Sequence, residues 1–103
     1  MAHKIIWSPI VVEDLEAIAQ YISRDSESYA ASMVQRIVDA VENLSLFPLI
    51  GREVPELNDP DIREIIVQKY RVIYRVEREA IKLGAVIHGA RDLEKALRDR
   101  PPI

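Results

Sequence analysis

REIIVQKYRVIYRVEREAIKLGAVIHGARD, residues 63–92, is the stretch whose periodicity decides the fold. Successive side chains of a strand point to opposite faces, so alternation of apolar and polar residues marks a half-buried strand. Tyr70–Val76 alternates in this way, with Tyr70, Val72, Tyr74 and Val76 on one face and Arg71, Ile73 and Arg75 on the other. In Ile81–His88, Ile81, Leu83, Ala85 and Ile87 share one face, and Lys82, Gly84, Val86 and His88 the other. A third run, Ile62–Val67, precedes them. The links are short, Gln68-Lys69 and Glu77–Ala80, and links of this length make hairpins. The reading is a three-stranded antiparallel meander. One of its faces is apolar and needs a cover. The other carries Arg71, Arg75, Lys82 and His88, with Arg91 just beyond.

The cover lies upstream. Lys4–Trp7 is a short strand candidate, and Ser8-Pro9 opens a helix. Serine is a good N-cap, and proline at the first helical position loses no hydrogen bond. Trp7 and Val12 have the spacing of a hydrophobic staple. Val11, Leu15, Ile18, Ala19 and Ile22 then recur at helical spacing. After a break at Arg24-Asp25-Ser26, a second helix reaches about Leu46, with Ala30, Met33, Val34, Ile37, Val38, Val41 and Leu44 as its stripe. So short a link predicts an antiparallel helix hairpin. Phe47–Pro60 holds three prolines and Gly51 and reads as irregular. Asp92 caps a last helix, Leu93–Asp99, which ends before Pro101-Pro102. The order is β-α-α-β-β-β-α, an α+β domain with the helix hairpin packed on an antiparallel sheet.

The 103 residues fit one domain, residues 1–103, with a core of its own. The absence of cysteine excludes disulfides, thiolate metal sites and cysteine catalysis. No apolar run is long enough to span a bilayer, and Met-Ala-His-Lys does not open a signal peptide. The net charge of −3 is uneven. Residues 1–60 carry four Lys/Arg against ten Asp/Glu; residues 61–103 carry ten against seven. This asymmetry suggests a polar partner on one side, while the overall charge argues against a large basic DNA footprint.

Three places can carry chemistry. On the polar sheet face, guanidinium groups suit phosphate recognition and histidine suits proton transfer at neutral pH. The alternatives there are a solvated surface for Arg75 and Lys82, a satisfied structural histidine at His88, and an ion pair with Asp92 or Glu94 for Arg91. Arg71 stands among four apolar neighbours and needs a partner. The Phe47–Pro60 loop offers Arg52, Glu53 and Glu56, and reads first as a rigid crossover. The sheet edge and the groove beside the helices, near Ile10, Val12 and Tyr29, can accept a partner segment. His3 and His88 are the only histidines, and no metal-ligand set, P-loop or Ser-His-Asp arrangement stands out.

Trp7-Ser8-Pro9 ahead of the hairpin, Phe47–Arg52 (FPLIGR), Arg63–Val67 (REIIV) leading into Tyr70–Val76 (YRVIYRV), and Ile87–Asp92 (IHGARD) together resemble the ParE/RelE toxin superfamily of type II toxin–antitoxin modules. His88–Asp92 and the Phe-Pro-x-x-Gly-Arg loop look more like the ParE branch. The resemblance covers nearly the whole chain and implies a small cytoplasmic toxin, restrained by a cognate antitoxin encoded next door. It implies no cofactor and no membrane, contact with operator DNA only through the antitoxin complex, and a role in plasmid stabilization and growth inhibition. ParE-like members poison DNA gyrase; RelE-like members are ribosome-dependent mRNA endoribonucleases. The first activity would use Arg71, Arg75 and Arg91 for target binding. The second would place Arg71 on the scissile phosphate with His88 as acid or base, so the catalytic candidates are Arg71, His88 and Arg91. Arg71 matches the strand arginine of both branches. No tyrosine follows Tyr74, so the C-terminal catalytic tyrosine of some ribonuclease members is absent.

Overall fold

A computed structural model describes residues 2–103. Its order is β1 (Lys4–Ile6), α1 (Pro9–Ser23), α2 (Glu27–Leu44), β2 (Arg52–Glu53), β3 (Ile62–Val67), β4 (Tyr70–Val76), β5 (Ala80–His88) and α3 (Leu93–Leu97). The class is α+β, as the periodicity indicates. The sheet is larger than the meander: five strands in the order β1-β5-β4-β3-β2. β1 joins parallel to the start of β5, which makes the sheet mixed. The stretch read as irregular contributes β2, antiparallel to β3.

The helices obey their sequence signals with local departures. Ser26 caps α2 by accepting from the Tyr29 amide, whereas the Ser8 side chain accepts no capping bond. At α1 the Ser8 carbonyl and Pro9 suffice to start the helix. Asp92 caps α3 through the Lys95 amide. In the two-residue β3–β4 turn, Gln68 takes a left-handed conformation at φ 56°.

The main core fills the space between the hairpin and one sheet face. Val11, Leu15, Ile18, Met33, Ile37, Val41 and Leu44 meet Tyr70, Val72, Tyr74, Ile81, Leu83 and Val86. Ile10 packs against this core, while Val12 and Tyr29 stay substantially exposed. A second, smaller core covers the opposite face, where Leu93 and Val54 close over Ile62, Ile73, Ala85 and Ile87.

A β-bulge decides which face each β5 residue takes. Ile73 pairs with Ala85 and Tyr74 with Leu83, so Gly84 is an extra residue in β5. The alternation expected through Ile81, Leu83, Ala85 and Ile87 breaks there. Val86 pairs with Val72 and His88 with Tyr70, which puts both on the helix-facing side. Ala85 and Ile87 turn to the other face, opposite Ile73 and Arg71.

Candidate functional site

The bulge divides the expected polar face. Arg71, Arg75 and Lys82 share the face opposite the hairpin, and His88 does not join them. Its ring stands edge-on to Tyr70, with centroids 5.5 Å apart, and its Nδ1 accepts from the Ala90 amide. Periodicity alone placed His88 with Arg71, and one inserted residue reversed that.

Arg71 is buried, and each of its three guanidinium nitrogens has a carboxylate partner. Its Nε donates to Glu64 Oε1 at 2.6 Å, and Nη1 and Nη2 donate to the two Glu56 carboxylate oxygens, each at 2.8 Å. Glu64 is also buried, and its second oxygen accepts from Arg52 Nε at 2.7 Å. Two carboxylates thus hold one guanidinium in place. The Arg71 hydrogen bonds hold the Glu56 carboxyl down to about 2 against burial, and Glu56 and Glu64 raise the affinity of Arg71 for its proton. The arrangement ties the Val54–Pro60 segment to the sheet. Glu56, weighed only as a loop carboxylate in the sequence, is the main partner that Arg71 required.

Arg75 is engaged as well. Nε and Nη2 donate to Ile103 O, and Nη2 also reaches Asp59 Oδ2 at 3.1 Å. Lys82, opposite Arg75 in the register, is exposed. Arg91 is exposed and has no ion-pair partner among the described residues, so neither Asp92 nor Glu94 engages it.

His88 and Arg91 instead line a groove of about 830 Å³ between the hairpin and the end of the sheet. Ile18, Ile22 and Met33 give it an apolar floor, Tyr21, Tyr29 and Tyr70 flank it, and Lys69 joins Arg91 at its rim. The outer edge of β5 borders it, because β1 pairs with β5 only as far as Lys82. Val86 N on that edge donates to Asp14 Oδ2 at 3.0 Å. An apolar floor, aromatic walls, a strand edge and two rim cations are the features by which a groove accepts an extended polypeptide. No group of three or more His, Cys, Asp or Glu suited to a metal occurs among the described residues.

In the sequence Tyr74 reads only as part of the strand face it shares with Tyr70, Val72 and Val76. Its hydroxyl donates to Pro48 O at 2.9 Å and accepts from Gly51 N at 3.1 Å. With Arg63 Nη1 donating to Gly51 O, it pins the Phe-Pro-x-x-Gly-Arg turn to the sheet. A Cβ on Gly51 would stand 2.5 Å from Glu64 O, which is why this turn takes glycine.

No helix among the described residues is long and apolar enough to cross a membrane. No curated protein matches the chain. A solved structure, the chromosomal ParDE toxin–antitoxin system from P. aeruginosa, is similar in fold at a TM-score of 0.70 and 22% identity, covering 84% of this chain and 96% of that one. The family model for the ParE toxin of the type II toxin–antitoxin system parDE matches residues 5–93. The chain belongs to the ParE toxin family of type II toxin–antitoxin systems, and such a system implies a cognate antitoxin as partner.

Proposed function

We propose that this toxin acts in the cytoplasm by binding DNA gyrase, and that its antitoxin restrains it by lying along the helix hairpin and the β5 edge. The observation that carries the choice of binding over RNA cleavage is the separation of Arg71 from His88. A ribonuclease built on this pair needs a phosphate-holding cation and a proton-transfer group converging on one scissile bond. Here they face opposite sides of the sheet, and Arg71 is occupied by Glu56 and Glu64. Arg91 is the unpaired cation of the candidate set and takes the target-facing role; Arg75 and Arg71 shape the surface behind it. Contact with operator DNA belongs to the toxin–antitoxin complex. In a plasmid setting such a pair favours plasmid maintenance.

The test is induction of the chain without its antitoxin, following thymidine and leucine incorporation in parallel. The reading expects DNA synthesis to stop first and purified toxin to trap gyrase on cleaved DNA. An immediate stop in protein synthesis, with ribosome-dependent mRNA cleavage, overturns it in favour of the RelE-like activity.

A further inference from the structure

Beyond Lys82, where its pairing with β1 ends, the outer edge of β5 has no strand beside it among the described residues. Two side chains take a strand's place there. Arg100 Nη2 donates to Gly84 O at 2.9 Å, and Asp14 Oδ2 accepts from Val86 N at 3.0 Å. In a parallel neighbour, one residue opposite Ala85 makes both of these bonds, giving its N–H to residue 84 and its C=O to residue 86. β1 is such a neighbour, but the chain leaves it for α1, which starts at Pro9. Asp14 and Arg100 are joined to each other by two bonds of 2.8 Å. The pair closes around the edge. Asp14 comes from α1 on the hairpin side, and Arg100 from the C-terminal segment, whose Ile103 packs in the second core on the other side.

This arrangement leaves one group unsatisfied. Arg100 Nε is buried and has no hydrogen-bond partner among the described residues. An unmade bond on a buried charged group is unfavourable, and Arg100 recovers it by swinging into water. A backbone strand satisfies Gly84 O and Val86 N without orphaning anything, and an unpaired edge is a template for such a strand. The groove beside the edge takes its side chains. Val86 and His88 line that groove, so residues of an added strand beside these two drop toward Ile18, Ile22 and Met33. Lys69 and Arg91 stand at the rim, neither in an ion pair among the described residues, and complement a carboxylate.

We propose that the Asp14–Arg100 pair is a displaceable cap on the β5 edge, and that an extended segment of the antitoxin replaces it by pairing its backbone with Gly84 and Val86. This rests on the reading above that the antitoxin follows this edge. The segment carries apolar side chains at alternate positions toward the groove floor and a carboxylate toward Arg91. Its arrival sends the Arg100 guanidinium into solvent. Linkage then makes the two equilibria oppose each other. The pair that stabilises the free chain weakens antitoxin binding, so removing it leaves a less stable chain and a tighter complex. An ion pair with a purely structural role has no reason to tighten the complex when it is lost.

The test is an NMR titration of the full chain with its cognate antitoxin, beside the affinity of Arg100→Ala for the same antitoxin. The Val86 amide resonance is expected to shift as its acceptor changes from a carboxylate to a carbonyl. The Arg100 Nε–H, shielded in the free chain, is expected to exchange rapidly with water in the complex. The dissociation constant of Arg100→Ala is expected to fall about tenfold. A Val86 amide that does not move shows that the antitoxin avoids this edge, and overturns the edge reading and the cap together. A Val86 amide that moves while the Arg100 Nε–H stays shielded overturns the cap alone and leaves the edge reading standing. An unchanged or weaker affinity in Arg100→Ala also overturns the cap. If that variant does not fold, the two wild-type resonances still decide.

Discussion

Arg71 Nε donates to Glu64 Oε1 at 2.6 Å, with the arginine side chain 9% exposed and the glutamate fully buried. Glu56 closes over the pair, so each of the three guanidinium nitrogens is committed to a carboxylate. Breaking a buried pair from one side leaves the other charge without compensation. Arg71→Ala is therefore expected to destabilise the fold by about 3 kcal/mol, at the low end for a buried pair because Arg52 still serves Glu64. Urea denaturation measures the loss. If Arg71→Ala keeps wild-type stability yet loses toxicity, Arg71 contacts the target and its pairing here is incidental.

Glu56 gives the fold an acid limb. Its carboxyl is held down to about 2 from an ordinary 4.5 by the Arg71 hydrogen bonds. Between these values the unfolded chain binds the proton more readily than the folded one, so stability rises with pH through this window. The contribution is complete above the unfolded value and is lost as pH falls toward 2. Because the Glu56 side chain is about one-third exposed, solvent screening keeps the effect near 1 kcal/mol. Glu56→Gln should flatten the stability profile between pH 4.5 and 2. A profile as steep as wild type would assign the acid limb to other carboxylates.

The Glu64–Arg71 proximity is legible in the sequence. A two-residue turn at Gln68-Lys69 sets Val67 opposite Tyr70, hence Ile66 opposite Arg71 and Glu64 opposite Ile73. That register puts Glu64 on the face of Arg71, one diagonal step away. The helix stripes and the Asp92 cap were equally legible, because each follows from local spacing. Glu56 was not, since an irregular segment has no period to carry a side chain's direction. His88 is misplaced by strict alternation because the bulge at Gly84 shifts the phase; the isolated glycine, followed by the unbroken apolar run Ala85–Ile87, is its mark in the sequence. Tyr74 read as core because its ring is core, and its hydroxyl finds Pro48 and Gly51 across a sheet edge that the meander lacked.

The Phe47–Arg52 turn rests on a single hydroxyl and a missing methyl group. Tyr74→Phe removes one donor and one acceptor and leaves Pro48 O and Gly51 N without that partner, at an expected cost of about 1–2 kcal/mol. Gly51→Ala is expected to cost more, because its Cβ meets the Glu64 backbone oxygen at 2.5 Å and a backbone atom cannot swing aside. Both substitutions should raise amide exchange in residues 47–52 ahead of the rest of the chain. Equal or slower exchange of that segment in Gly51→Ala would mean that the turn tolerates a Cβ by a rearrangement the packing gives no room for.

Asp14 joins α1, β5 and the C-terminal segment through three bonds. Oδ2 accepts from Val86 N at 3.0 Å, and both oxygens accept from Arg100, whose Nη2 also reaches Gly84 O at 2.9 Å. The two side chains are mostly buried, 12% exposed for Arg100 and 15% for Asp14. The substitutions should therefore be unequal. Arg100→Ala removes the ion pair but leaves Asp14 its bond to Val86, at about 1–2 kcal/mol. Asp14→Ala strips both, leaving a strand amide without its partner and a mostly buried guanidinium with only Gly84 O, at about 2–4 kcal/mol. The coupling between them in a double-mutant cycle should be about 1 kcal/mol. Its salt dependence should be weak, since screening acts little on a pair held this far from water. Equal losses in the two single variants would show that the Val86 amide finds water as readily as it finds Asp14. The β5 edge would then be open along its whole upper half, down to the groove.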